Sequence, residues 1–206
     1  TAEQILSLGY FQLGFQVTAT EMEDGDSVDL GPLTVMAVAG EHTVPALSFV
    51  IEEKERRGRF LTERAKELGV IPGPQFSILQ SGGEIVVGDR LVRSEDVLGP
   101  PRKGRKVVIS GDTRPTSRLT EAARGADVLI HEATLDSSMK EGAKSYGHST
   151  AREAGEVARE ADVHMLILTH ISNRYDDLSI LEAEAQEVFP RTIIAEDLMS
   201  LKVRTK

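Results

Sequence analysis

The chain has 206 residues, 33 acidic against 24 basic side chains, a formal charge of −9 and no cysteine. With 40% hydrophobic and 28% charged residues it has the composition of a globular protein, and the missing cysteine excludes disulfides, thiolate metal sites and cysteine nucleophiles, so any metal must rest on His, Asp and Glu. The acidic balance argues against a surface that traps nucleic acid by overall charge, no run approaches the ~18 apolar residues of a membrane helix, and the start lacks a basic-then-apolar secretory pattern, so a cytoplasmic protein with no membrane partner is expected.

Residues 15–38 alternate apolar and polar positions around Asp24-Gly25-Asp26 and Gly31-Pro32, which predicts a hairpin or meander. Leu33–Ala39 runs into Glu41-His42 and Leu47–Glu52 resumes a strand, which puts His42 on the loop between two buried strands. Residues 53–76 are charged, with a helical stretch near Thr62–Leu68, a Gly69 stop and a stiff Pro72-Gly73-Pro74 turn, and read as an excursion from the domain. Glu84–Val87 and Arg90–Val92 flank Gly88-Asp89, a two-residue hairpin turn. Strands are then expected at Lys106–Ser110, Ala126–Ile130, Met165–Thr169, Ile193–Asp197 and Leu201–Val203, and helices at Thr116–Arg124, Thr150–Ala161 and Leu178–Val188. Strand, polar motif and helix in repetition predict an α/β layer with its site loops at one strand edge.

Four polar motifs stand at those strand ends or helix starts: Ser110-Gly111-Asp112-Thr113-Arg114-Pro115, His131-Glu132-Ala133-Thr134, His148-Ser149-Thr150 and Thr169-His170-Ile171-Ser172. Each can be read in two ways. Asp112 is either a turn residue accepting backbone N–H groups or a carboxylate that holds cations. His42 and His170 are hydrogen-bonded surface residues or imidazole ligands fixed by strand ends. Ser149 and Thr150 are explained as helix caps, which leaves His148 without a structural reason. His131 and Glu132 are a loop-stabilising network or part of the chemistry, and His164 reads as an exposed helix-end residue.

In this order the motifs resemble the carboxy-terminal two-thirds of the ribonuclease Z family, over about Ile5 to the end. The family's amino-terminal His-x-His-x-Asp-His cluster is not found in these 206 residues, and the first residues read as a strand or helix entering an existing core. The chain, which opens at Thr1, is therefore expected to be a portion of a longer protein and inactive alone. The resemblance implies a metallo-β-lactamase-type αββα sandwich, α/β in class and incomplete at the amino terminus, with residues 1–206 a partial domain and 53–76 a protruding tRNA-binding arm. An open apolar face and free strand edges are expected to remain.

The resemblance further implies an endonuclease that removes the 3′ trailer of precursor tRNA by zinc-assisted phosphodiester hydrolysis, with two zinc ions per complete site. His42, Asp112 and His170 match its metal ligands, Asp112 as the bridge. His148 matches the proton donor to the leaving ribose oxygen, with Glu132 orienting its imidazole. Zinc binding by this chain alone is expected to be weak or absent, because three ligands shared by two ions make no tight site. Arg56, Arg57, Arg59, Gly73 and Pro74 belong to the segment that resembles the family's arm and are expected to bind substrate, the arginines by sequence-blind contacts to backbone phosphate, and Arg174 is expected close enough to the metal edge to meet a phosphate. A homodimer is implied, with no DNA partner. Two other readings stand beside this one, a non-catalytic tRNA-binding or assembly subunit and a different metallo-β-lactamase-fold hydrolase. On composition alone the basic cluster at 54–66, diluted by glutamates, reads equally as a solvated mixed-charge face.

Overall fold

In a computed structural model that describes residues 14–203, the apolar runs of the chain assemble around one mixed sheet. Strands β1 (Ser27–Asp29), β2 (Leu33–Ala39) and β3 (Leu47–Glu53) form an antiparallel meander. After an intervening lobe come β6 (Lys106–Ile109), β7 (Val128–Glu132), β8 (Leu166–Thr169) and β9 (Thr192–Ile194), so that the order across the sheet is β1-β2-β3-β6-β7-β8-β9. β3 meets β6 antiparallel, and β6 through β9 run parallel. The parallel strands therefore deliver their carboxy-terminal loops to one edge, where ligand sites of open α/β sheets lie.

Period-two alternation sorts the strand residues. Val50, Val108, Leu129, Leu166 and Leu168 join Leu119, Ala154, Val157, Ala158, Leu181 and Ala185 in one buried core. The helices that supply the second set are α4 (Ser117–Ala123), α6 (Ala151–Glu160) and α7 (Ser179–Val188). α6 and α7 lie so close that a Cβ on Gly155 would stand 2.9 Å from the Ala185 carbonyl oxygen. Each of the larger buried side chains contributes about 1.5–3 kcal/mol through removal from water. Phe49, Ile51, Val107, Ile109 and Ile130 occupy the alternate positions, in register across β3, β6 and β7, and are only half-buried. No helix among the described residues is long and apolar enough to cross a membrane.

Between β3 and β6 the chain makes a lobe with a core of its own: Ala65, Leu68, Val70, Leu79, Val92 and Val97, with Phe60 and Phe76 packed against it. It holds α1 (Thr62–Glu67), α2 (Pro74–Gln80), the hairpin β4 (Glu84–Val87) and β5 (Arg90–Arg93), and α3 (Ser94–Val97). Glu53 N donates to the Arg105 carbonyl at 2.8 Å, and Arg56 and Arg102 exchange backbone hydrogen bonds, so the two connections run side by side.

Four sequence expectations are corrected. Residues 14–23 form no strand, and neither does Leu201–Val203. The strand expected at Ile193–Asp197 ends at Ile194, while the expected turn at Pro72-Gly73 stands and opens α2, for which Pro74 supplies the pre-set φ of a first helical residue. His131 and Glu132 are the last two residues of β7 rather than loop. A short 3₁₀ turn at Ser137–Met139 leads into α5 (Lys140–Tyr146), a segment without a strong apolar period. The first residues, read as entering a core, lie outside the described residues.

Candidate active site

Four loops converge at the carboxy-terminal edge of the parallel strands, and Glu132 stands at their centre, 1% exposed in its side chain. Oε1 accepts from Thr113 N at 3.0 Å and from His148 Nδ1 at 2.8 Å. Oε2 accepts from Thr134 N at 3.2 Å and Thr134 Oγ1 at 2.7 Å. A carboxylate offers about four lone-pair positions, and here four donors fill them. The burial of an acid at this depth is offset by that complete set of partners.

The helix start holds His148 in place. Thr150 and Glu153 form a reciprocal capping box at the head of α6, Thr150 N donating to Glu153 Oε2 at 3.0 Å. Ser149 Oγ donates to the Thr113 carbonyl at 2.7 Å. His148 is left between these anchors and the glycine that ends α5. Its ring centroid lies 4.7 Å from that of His42 and 5.2 Å from that of His170.

His42 and His170 are fixed in the same manner, by Nδ1. His42 Nδ1 donates to the Gly147 carbonyl at 2.9 Å, and because a carbonyl only accepts, the proton sits on Nδ1 and the Nε2 lone pair is free. His170 Nδ1 lies 2.8 Å from Thr134 Oγ1, and its Nε2 is 3.6 Å from Asp112 Oδ1. The backbone of His170 has φ +55°, a left-handed conformation that costs a non-glycine residue about 1–2 kcal/mol. Ser172 N, bonded to the Thr134 carbonyl at 3.1 Å, braces that turn. Thr113 joins the remaining loops, since its Oγ1 accepts from Glu41 N at 2.8 Å while Arg114 N donates to the Glu41 carbonyl at 2.9 Å.

This donor set suits a borderline divalent cation such as zinc. His42 and His170 each hold Nδ1 on an acceptor and keep Nε2 free, the arrangement by which metal-binding imidazoles are oriented, and Asp112 adds a half-exposed carboxylate. Glu132, His148 and His170 also bring ligand atoms within 4.8 Å of one another. Glu132 is already saturated, whereas His148, like His42 and His170, holds Nδ1 on an acceptor and leaves Nε2 without a hydrogen-bond partner.

His131, next to Glu132, is fully buried. Its Nδ1 donates to the Glu132 carbonyl at 2.7 Å, its Nε2 has no partner, and burial pushes its pKa down, so it is held neutral and away from the site chemistry. His164 is exposed after α6.

The basic positions fall in two places. Arg174 is exposed beside the site, with Nε on Ser172 Oγ at 3.0 Å. Arg56, Arg57 and Arg59 lie on the strand-like entry to the lobe, and Gly73 and Pro74 at the start of α2. Arg59 is exposed; Arg57 Nη1 reaches the Gln80 carbonyl at 3.2 Å; Arg56 buries Nε and Nη2 without partners.

Sequence reading gave Thr113 and Thr134 no role of their own, although both lie in motifs it singled out, and it gave none to Gly147, which ends α5, a helix that reading had not placed, at φ +83°.

Residues 95–171 match the family described as the beta-lactamase superfamily domain. Ribonuclease Z of Archaeoglobus fulgidus is 50% identical over 199 residues, 96% of this chain and 65% of that protein. Ribonuclease Z of Methanothermobacter thermautotrophicus is 46% identical over 202 residues, 98% of this chain and 66% of that protein. Among solved structures, the metallo-beta-lactamase fold protein YhfI from Bacillus subtilis is similar with a TM-score of 0.59 and 19% identity, over 94% of this chain and 58% of that one. The short form of human tRNase Z is similar with a TM-score of 0.53 and 24% identity, over 86% and 47%, and both structures bear on the fold alone. The chain spans 65–66% of the length of these two ribonuclease Z relatives, and over that span it is a homologue of ribonuclease Z with the metallo-β-lactamase fold.

Proposed function

We propose that this chain supplies the later part of the active site of an endonuclease that removes the 3′ trailer of precursor tRNA. The observation that carries the reading is the convergence of His42, Asp112, His148 and His170 around the saturated carboxylate of Glu132 in a chain homologous to ribonuclease Z.

In this reading His42, Asp112 and His170 hold zinc, which would supply a Lewis acid for the phosphodiester and an activated water. His148 is the proton donor. Its Nδ1–H is held by Glu132 at 2.8 Å, which fixes the ring plane and leaves Nε2 to carry the proton for the departing ribose oxygen. The ring is 16% exposed in its side chain, open enough to meet a substrate and closed enough to limit competing water. In the same reading Arg174 and Arg59, both exposed, meet backbone phosphates, with the 53–76 segment as the tRNA-binding arm. Two chains act together as a homodimer. Zinc binding by these 206 residues alone is weak, because the three ligands do not complete two coordination shells.

The test is a chimera in which residues 14–203 replace the corresponding part of the Archaeoglobus fulgidus ribonuclease Z, assayed on 3′-extended tRNA. Release of the trailer in a single cut is expected. A folded, zinc-loaded chimera that leaves the RNA intact retires the reading.

A further inference from the structure

We propose that Thr134 is a positioning residue that sets which nitrogen of His170 carries the proton and links that imidazole, through Glu132, to His148; the role of this linkage in catalysis rests on the reading above.

A hydroxyl has one proton to give. Thr134 Oγ1 stands 2.7 Å from Glu132 Oε2 and 2.8 Å from His170 Nδ1, and it must donate to one and accept from the other. Glu132 takes hydrogen bonds from two backbone N–H groups, which can only donate, and from His148 Nδ1, so its oxygens act purely as acceptors. The Thr134 proton therefore goes to Oε2, and Oγ1 accepts from His170. The proton of His170 is placed on Nδ1, and its Nε2 lone pair is directed to the side of Asp112. The donors then run inward from both histidines: His170 Nδ1–H to Thr134 Oγ1–H to Glu132, and His148 Nδ1–H to the same carboxylate.

Thr134 also holds His170 by a second route. Its carbonyl accepts from Ser172 N at 3.1 Å, which brackets the left-handed residue between two contacts from one neighbour. The hydroxyl fixes the ring and the carbonyl fixes the turn. Removal of the hydroxyl alone separates the two effects.

The arrangement has a consequence at a distance. Glu132→Gln puts an amide where the carboxylate was. Thr113 N at 3.0 Å and His148 Nδ1 at 2.8 Å hold the Oε1 position more closely than Thr134 N at 3.2 Å holds Oε2, so the amide oxygen stays at Oε1, the bond from Thr134 N is lost, and the NH₂ turns toward Thr134 Oγ1. Thr134 then accepts from the amide and donates to His170, so the proton of His170 moves to Nε2 although residue 132 does not touch it.

The experiment is ¹⁵N NMR of the five imidazoles at about pH 8, above the ordinary histidine pKa, with long-range couplings that report the tautomer. Parent and T134S are expected to show His170 as the Nδ1–H form. T134V, which keeps the branched shape, is expected to lose that preference, and E132Q to show Nε2–H. A parent His170 in the Nε2–H form overturns the proposal, with no need for any variant to fold. So does an Nδ1–H form that persists in both T134V and E132Q. Circular dichroism accompanies each variant, and if T134V is unfolded the parent and E132Q decide. Trailer cleavage by the chimera is scored apart: absence of cutting with the expected tautomers retires the nuclease reading and leaves the Thr134 linkage standing, whereas cutting with the wrong tautomers does the reverse.

Discussion

Gly147 and His42 fit each other so closely that the His42 ring occupies the space a side chain on Gly147 would need. The Gly147 carbonyl accepts from His42 Nδ1 at 2.9 Å, and a Cβ on Gly147 would stand 2.6 Å from that same nitrogen and 2.8 Å from Thr43 N. The residue also sits at φ +83°. Gly147→Ala is therefore expected to cost at least about 1–2 kcal/mol for the backbone conformation alone, and to push the His42 ring out of its place beside His148. Thermal denaturation checks the first effect. The second appears as loss of the His42 Nδ1–H resonance, and an unchanged resonance contradicts the packing argument.

If His148 gives its proton to the leaving oxygen, the chimera carrying His148→Ala should cut 3′-extended tRNA about 10²–10⁴-fold more slowly. Its affinity for tRNA should stay within a few-fold of the parent, since phosphate contacts supply most of the binding. Single-turnover rates and filter binding on one preparation separate the two. Equal loss of binding and rate points instead to a structural role for the ring.

Arg59 and Arg57 are neighbours with different expectations. Both are exposed, but the guanidinium of Arg57 is tied to the Gln80 carbonyl and packs against Gly82, where a Cβ would come within 2.5 Å of Nη2. Arg59→Ala should weaken tRNA binding and lower the salt slope by about one with no change in melting. Arg57→Ala should lower the stability of the lobe as well. A melting temperature that falls equally in both contradicts the distinction.

Much of this site was legible because its chemistry is written in short contiguous motifs. His148, His170 and Asp112 stand at the strand ends and helix start where the apolar periods placed them. What was not legible depends on contacts across the sequence. Thr134 acts through a histidine 36 positions away and Thr113 through Glu132, 19 positions away, and no local pattern encodes either. The lobe was underestimated for a related reason. Its core joins Ala65 and Leu68 to Val92 and Val97, so the helical stretch and the later hairpin, read separately as an excursion and a turn, are one folded unit. Leu201–Val203 shows the opposite error, three residues with strand-like alternation that no neighbouring strand pairs.

His131 links stability to pH. Burial lowers its pKa, so below the ordinary histidine value near 6.5 the unfolded chain takes up a proton that the folded chain resists. Its effect is absent above that pH, where both states are neutral, and destabilisation grows as pH falls toward the depressed folded value. His131→Asn, whose amide can reproduce the Nδ1–H bond to the Glu132 carbonyl, should flatten the decline in melting temperature between about pH 6.5 and 5. A decline as steep as the parent's assigns the pH dependence elsewhere.

Glu53 was one of the glutamates that seemed only to dilute a basic segment, yet it clamps the base of the lobe. Its carboxylate accepts from Arg105 N at 3.0 Å and Nε at 2.8 Å, and Arg105 Nη2 completes a bidentate pair. The side-chain hydrogen bonds from Arg105, followed by its backbone N–H, pull the Glu53 pKa down to about 2. The neighbouring Gly104 is so tightly enclosed that a Cβ there would stand 1.9 Å from the Glu53 carbonyl oxygen. Because the folded pKa is depressed, the stabilisation is fully present above the unfolded value near 4.5 and is lost as pH falls through about 2. Glu53→Gln should therefore melt below the parent at neutral pH, with the gap closing between about pH 4.5 and 2. Proteolysis at the 53–56 and 102–105 connections should rise in the variant at neutral pH, because the two chain crossings lose the charge-assisted pair that holds them together. A melting difference that stays constant down to about pH 2 would mean that the carboxylate's charge plays no part.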